Sequence, residues 1–178
     1  MCALVTADEL LQMPDHKLYE LIEGNLVKWG PEGLLHGRTS ARVLGFLYGH
    51  VYASDLGVLL AAGCGFFLQH DPDTVRAADG AFIAKGRTPS DADPYGFVET
   101  IPDLVIEVVG LNDIAKQLQA KIEQWIEHGV RLVWLVNPER RSITVYRSLS
   151  DVHVLHEDDT LTGEPVLSGF SCPVAEIF

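Results

Sequence analysis

The stretch Asp103-Leu104-Val105-Ile106-Glu107-Val108-Val109 decides the fold. It is a near-continuous apolar run interrupted by one carboxylate. Runs of this kind form strands buried on both faces, with helices covering the sheet. Downstream, Asn112 or Asp113 can cap a helix that continues to His128 and stops at Gly129. Arg131 to Val136 is a second buried strand, Asn137-Pro138 turns the chain, and Ser142 to Arg147 returns as a strand. A short extended piece around Val152 to Leu155 and an acidic turn at Glu157-Asp158-Asp159 precede the tail, Pro173 to Phe178.

Upstream, Thr6-Ala-Asp-Glu9 is a capping-box pattern that predicts a short helix to about Met13. Leu18 to Glu23 and Leu26 to Trp29 read as a hairpin turning at Gly24-Asn25. His36 to about Ser54 is a helix with Val43, Leu44, Phe46, Leu47 and Val51 on its apolar side. Val58 to Ala62 and Gly65 to Gln69 look extended, and His70 to Asp73 is a turn cluster. Val75 to Ala84 reads as one strand with Asp79 in its middle. Residues 85–100 form a loop longer than typical connections, a length found both in functional loops and in tolerated insertions. The order predicts mixed α/β architecture, one central sheet flanked by helices, in a single domain spanning residues 1–178.

The bulk numbers fit that reading. A chain of 178 residues can bury a real core, and 47% hydrophobic content argues against disorder. The three cysteines, Cys2, Cys64 and Cys172, are far apart and lack CxxC spacing, so a disulfide framework or structural zinc is not expected and a reducing cytoplasm is. The N-terminus has no signal-peptide pattern, and no apolar run reaches the roughly 20 residues of a membrane span. The net charge of −12 counts against a nucleic-acid partner, since such proteins usually offer phosphate a basic footprint. Arg38, Arg42, Arg76, Lys85 and Arg87 could form a local basic lip or be ordinary solvated charges.

Glu107 is the residue out of place. A carboxylate among Val105, Ile106, Val108 and Val109 is costly unless something pairs with it. It is either a core acid matched by a basic side chain or a metal ligand. Asp79 stands among small residues, Ala77-Ala78 and Gly80-Ala81, which let another group approach closely; it is either a strand-edge acid in a turn or a second ligand. Asp103 shares a strand face with Glu107 but lies about 13 Å from it, too far to share an ion, so it has a structural role. A partner for Glu107 must come from an adjacent strand, about 4.8 Å away, and the strand carrying Asp79 can provide it. Lys121 falls at the edge of the helical stripe formed by Ile114, Leu118, Ile122, Trp125 and Ile126. There it either covers apolar surface with its stem or faces the sheet. Two carboxylates and a lysine suffice for phosphodiester hydrolysis with Mg²⁺ or Mn²⁺.

Tyr19-Glu-Leu-Ile-Glu-Gly24, His36-Gly-Arg38, Asp71 to Asp79, Pro102 to Val108, Lys121 and Gly129 to Pro138, in that order, resemble the Uma2 family, also called DUF820. This family belongs to the PD-(D/E)XK nuclease superfamily, with a restriction-endonuclease-like fold. The resemblance implies that Asp79 and Glu107 are the metal ligands, that Glu23 completes the acidic site, and that Lys121 replaces a lysine usually two residues after the acid, where Val109 stands. His36 and Arg38 become candidate substrate contacts. Ala78 replaces a usual proline, Gly80 a β-branched residue, and Gly110-Leu111-Asn112 a Ser-Pro-Ser-like turn. GxGxxG, P-loop, HExxH and nucleophile-elbow patterns are absent from the sequence.

Two functions compete. One is a metal-dependent endonuclease acting on nucleic acid. The other is a catalytically degenerate nuclease fold that binds or regulates a partner. A homodimer is expected from the superfamily and from the apolar segments holding Trp29, Trp134 and Tyr146, residues that would equally suit a core.

Overall fold

The computed structural model describes residues 4–111 and 113–178; Cys2 and the capping candidate Asn112 lie outside them. The capping box opens α1, Ala7–Gln12: Glu9 N donates to Thr6 Oγ1 at 3.2 Å and Thr6 N to Glu9 Oε2 at 2.8 Å. The hairpin follows as β1, Tyr19–Ile22, and β2, Asn25–Lys28. Its turn sits on Glu23-Gly24, one residue earlier than expected. Those two residues carry φ of 48° and 73°, the double positive φ that matches the twist of a tight hairpin. Asn25 instead pairs across the ladder with Ile22.

Next come α2, Leu34–Ala53; β3, Gly57–Ala61; β4, Gly65–Gln69; β5, Thr74–Ala77; β6, Gly80–Ala84; and β7, Leu104–Val108. The chain continues through α3, Ala115–Glu127; β8, Leu132–Asn137; β9, Ser142–Tyr146; β10, Val152–Leu155; β11, Thr160–Thr162; and β12, Ser171–Pro173. Asp113 does not cap α3. Its carboxylate accepts from Gly110 N at 2.8 Å, and Ile114 occupies the cap position.

A six-stranded mixed sheet, in order β10-β9-β8-β7-β6-β3, forms the centre. The β7–β8 pair is parallel, and α3 is the crossover that a parallel pair requires. The six-stranded sheet is the expected central one, and beside it lies a separate four-stranded antiparallel sheet, β2-β1-β5-β4. The expected single strand from Val75 to Ala84 breaks at Ala78-Asp79, between β5 in the small sheet and β6 in the large one. The break has a local cause. Asp79 N donates to Ile106 O at 3.1 Å, while its carboxylate takes Val108 N at 2.8 Å. Gly80 then passes close under α2, where a Cβ would come within 2.7 Å of Leu44.

Alternation along β7 divides its side chains between two cores. Leu104, Ile106 and Val108 pack with Val43, Leu47 and Val51 of α2 and with Trp134. Val105 packs with Ile122 and Trp125 of α3, and Glu107 shares that face. Each fully buried aliphatic side chain contributes roughly 1.5–3 kcal/mol. The single polar position on β7 therefore stands inside a strongly apolar environment. Trp134 and Tyr146 belong to these cores, and Trp29 is 38% exposed, so two of the three residues offered for a dimer surface are unavailable. Asp103 accepts from Ala84 N at 2.8 Å and pairs with Arg87 at 2.6 Å and Arg131 at 3.5 Å. Among the described residues no helix is long and apolar enough to cross a membrane.

Candidate active site

Four elements deliver polar side chains to one place: β7 brings Glu107, α3 brings Lys121 and Trp125, the β5–β6 junction brings Asp79, and β1 brings Glu20. Lys121 and Trp125 are one turn apart on α3 and therefore share a face. Trp125 Nε1 donates to Glu107 Oε1 at 2.7 Å, and Lys121 Nζ donates to Glu107 Oε2 at 3.0 Å. Burial pushes the Glu107 carboxyl up to about 7. Lys121 and the Trp125 hydrogen bond oppose that rise, while the charges of Asp79 and Glu20 add to it.

Lys121 Nζ also donates to Ala77 O at 2.6 Å and lies 3.2 Å from Glu20 Oε1. Burial works against its charge, but Glu107, Glu20 and Asp79 outweigh burial and hold its pKa above the ordinary lysine range. The side chain remains 18% exposed. Its ammonium is thus fixed by three oxygens from three elements yet still accessible.

Asp79 Oδ2 accepts from Val108 N at 2.8 Å and lies 3.2 Å from His36 Nε2. Asp79 is tied to β7 on both sides of Glu107, by its backbone N–H to Ile106 O and by its carboxylate to Val108 N, which is why the two carboxylates are neighbours. His36 is in the first turn of α2. Its pKa is raised by the Asp79 hydrogen bond, against partial burial, with further help from the charges of Asp79, Glu32 and Asp113.

Glu20 is the site residue the sequence reading missed. Its Oε2 accepts from Arg76 Nη1 at 2.6 Å and its Oε1 from Ala77 N at 2.9 Å. Burial raises its pKa, but Lys121 and Arg76 reverse that and lower it below the usual carboxylate range. The available signal was alternation: in β1, Leu21 is buried in a small apolar cluster with Leu10 and Val75, so Glu20 must face the other way. Glu23 is not brought to this group. It lies exposed in the hairpin turn, its backbone N–H bonded to Thr74 Oγ1 at 3.1 Å. Arg38 is exposed as well, about 200° around α2 from His36. Of the five candidates for a basic lip, Arg76 pairs with Glu20, Lys85 with Asp55 and Arg87 with Asp103.

Glu20, His36, Asp79, Glu107 and Lys121 line a cleft of about 510 Å³. Among the described residues no three His, Cys, Asp or Glu side chains stand close enough to hold an ion unaided. The donor set is two hard carboxylates opening on a cleft. That suits a cation which completes its shell with water and phosphate oxygens, as Mg²⁺ does, and does not suit a zinc-type cage.

The Uma2 family model, described as "Putative restriction endonuclease", matches residues 7–175. Among solved structures, one from Anabaena variabilis, described as "a putative nuclease belonging to DUF820", superposes with a TM-score of 0.79 over 98% of this chain and 97% of that one, at 19% identity. No curated protein matches the chain. The fold is α/β and restriction-endonuclease-like.

Proposed function

This chain belongs to the Uma2 family, and on that premise we propose that it is a metal-dependent endonuclease hydrolysing nucleic-acid phosphodiester bonds. Asp79 and Glu107 are the ligands for Mg²⁺ or Mn²⁺ in this reading. The observation that carries it is Glu107, a carboxylate 3% exposed in the centre of the sheet and set beside a second carboxylate and a fixed ammonium. An ion held there would polarise the phosphoryl oxygen and activate water. Lys121 places its positive charge where a phosphate oxygen in the cleft can meet it, a preorganised arrangement that stabilises developing charge. Ala77 O and Glu20 set the position of that ammonium. Trp125 orients Glu107, and His36 orients Asp79. The acidic place expected at Glu23 passes to Glu20.

The test is cleavage of labelled DNA and RNA, duplex and single-stranded, with Mn²⁺ or Mg²⁺. Wild type cleaves; Asp79→Ala and Glu107→Ala do not, and both lose the heat of Mn²⁺ binding. Metal binding unchanged in both variants would overturn the ligand assignment.

A second reading is a degenerate nuclease fold that binds a partner. It is favoured by the engagement of both Glu107 oxygens with Trp125 and Lys121, and by the substitutions at Ala78 and Gly110. It predicts no cleavage of any strand tested while a protein partner copurifies; robust catalysis removes it.

A further inference from the structure

A second cleft, of about 770 Å³, adjoins the first, and Glu20, Trp29, Gly63 and Ala77 line both. Its volume lies within the range of small-molecule sites, roughly 300–1,000 Å³. Residues 88–100 of the long loop build its outer wall. That wall is pinned to the small sheet: Phe67 N donates to Val98 O at 2.9 Å and Val98 N to Gly65 O at 2.8 Å. Phe97 lies so close over Gly65 that a Cβ there would approach its ring to 2.6 Å. The loop is therefore a built surface and not a slack insertion.

The chemistry of the lining is specific. Tyr19, Trp29, Tyr95 and Phe97 contribute aromatic surface, and the loop contributes Asp91, Asp93 and Glu99. Carboxylates along a wall repel phosphate. Flat aromatic faces attract nucleobases of any identity. We infer that this cleft holds a base of a single-stranded nucleic-acid segment, stacked on Trp29, while the adjoining phosphate lies at Lys121. The inference rests on the phosphodiester reading of the neighbouring site. A base inside a duplex cannot enter such a cleft without being unstacked, so the substrate class is a single strand, an end or a branch. The chain's net charge of −12 agrees, because long duplexes are gripped by a basic footprint.

Trp29 is 38% exposed, while Trp125 and Trp134 are fully buried, so quencher-accessible tryptophan emission reports on this cleft. The experiment uses fluorescein-labelled ten-nucleotide strands, one with bases and one abasic, in DNA and RNA form. Binding is read by anisotropy in chelator, where no metal-dependent cleavage occurs. Wild type is expected to bind the base-bearing strand about 5- to 150-fold more tightly than the abasic one, with loss of acrylamide quenching. Trp29→Ala should reduce that preference to within about twofold, and Trp29→Phe, which keeps a ring, should retain most of it. Equal binding of the two strands by wild type, binding of neither, or a preference intact in Trp29→Ala overturns the inference. Metal-dependent cleavage by wild type is assayed separately. A base preference without cleavage removes the nuclease reading alone, and cleavage without base preference removes the stacking alone.

Discussion

Replacing Lys121 by Met removes one ammonium from three acceptors: Ala77 O at 2.6 Å, Glu107 Oε2 at 3.0 Å and Glu20 Oε1 at 3.2 Å. Glu20 keeps Arg76 and Ala77 N as donors. The loss therefore falls on Glu107 and the Ala77 carbonyl. Removing one partner of a buried pair costs about 3–5 kcal/mol. For a chain of this size each kcal/mol moves Tm by about 2–4 °C, so Lys121→Met should melt roughly 6–20 °C lower at pH 8 in chelator. The pH dependence has a definite sign. Glu107 is raised from 4.5 to about 7 in the folded protein, so folding takes up a proton between those values and stability falls as pH rises through that window. Without Lys121 the carboxyl titrates higher still and the window extends to higher pH. Each added pH unit then costs the variant about 1.4 kcal/mol that wild type does not lose. The destabilisation at pH 5.5 should accordingly be smaller than at pH 8, by about 1.4 kcal/mol for each pH unit by which the window is extended. Urea unfolding of both proteins at the two pH values measures this. A loss below about 1 kcal/mol at pH 8, far under the cost of breaking a buried pair, or one equal at both pH values, would refute the reasoning.

Glu20→Gln should weaken Mn²⁺-dependent cleavage while Glu23→Gln leaves it at the wild-type rate; the reverse order in a matched kinetic assay would restore the turn residue to the site. Asp103→Asn should cost about 1–3 kcal/mol of stability by weakening a buried acceptor that holds Ala84 N, Arg87 and Arg131, without altering the heat of Mn²⁺ binding. Chemical denaturation and calorimetry on the same preparation separate these two effects.

Which parts of this molecule were legible from sequence follows from the range of the interactions involved. The capping box, the buried strand β7 and the sheet-facing angle of Lys121 are set by neighbours within a few residues, and each was readable. The break at Ala78-Asp79 was missed although Asp79-Gly80 is a turn dipeptide. Alternating apolar residues on both sides made one strand look continuous, and only the pairing of β5 with β1 and of β6 with β7 assigns them to different sheets. That Glu20 and not Glu23 stands beside Lys121 was illegible for the same reason. Both stand in Tyr19 to Gly24, and what selects Glu20 is Arg76 and Lys121, which lie 56 and 101 positions away in the chain. Arg38, offered with His36 from the family resemblance, stands on another side of α2, because positions two apart on a helix lie about 200° apart.

The distribution of charge bears on how an acidic chain could serve the proposed phosphodiester chemistry. The basic side chains near the centre are already engaged by carboxylates: Arg76 by Glu20, Lys121 by Glu107 and Glu20, and Arg87 and Arg131 by Asp103. Phosphate therefore meets few uncommitted cations here, and tight binding through backbone contacts alone is not what the surface provides. Burial above all raises the Glu107 carboxyl, and the negative charges of Asp79 and Glu20 add to that rise against Lys121. In the proposed reading a divalent ion would offset those negative charges and would add to the single positive charge that Lys121 offers phosphate. Affinity for the strand then has to come from apolar contact, and the aromatic cleft sharing Glu20 and Trp29 with the site lies where such contact would be made. An acidic surface and a nucleic-acid substrate are compatible when metal supplies the charge and stacking supplies the grip.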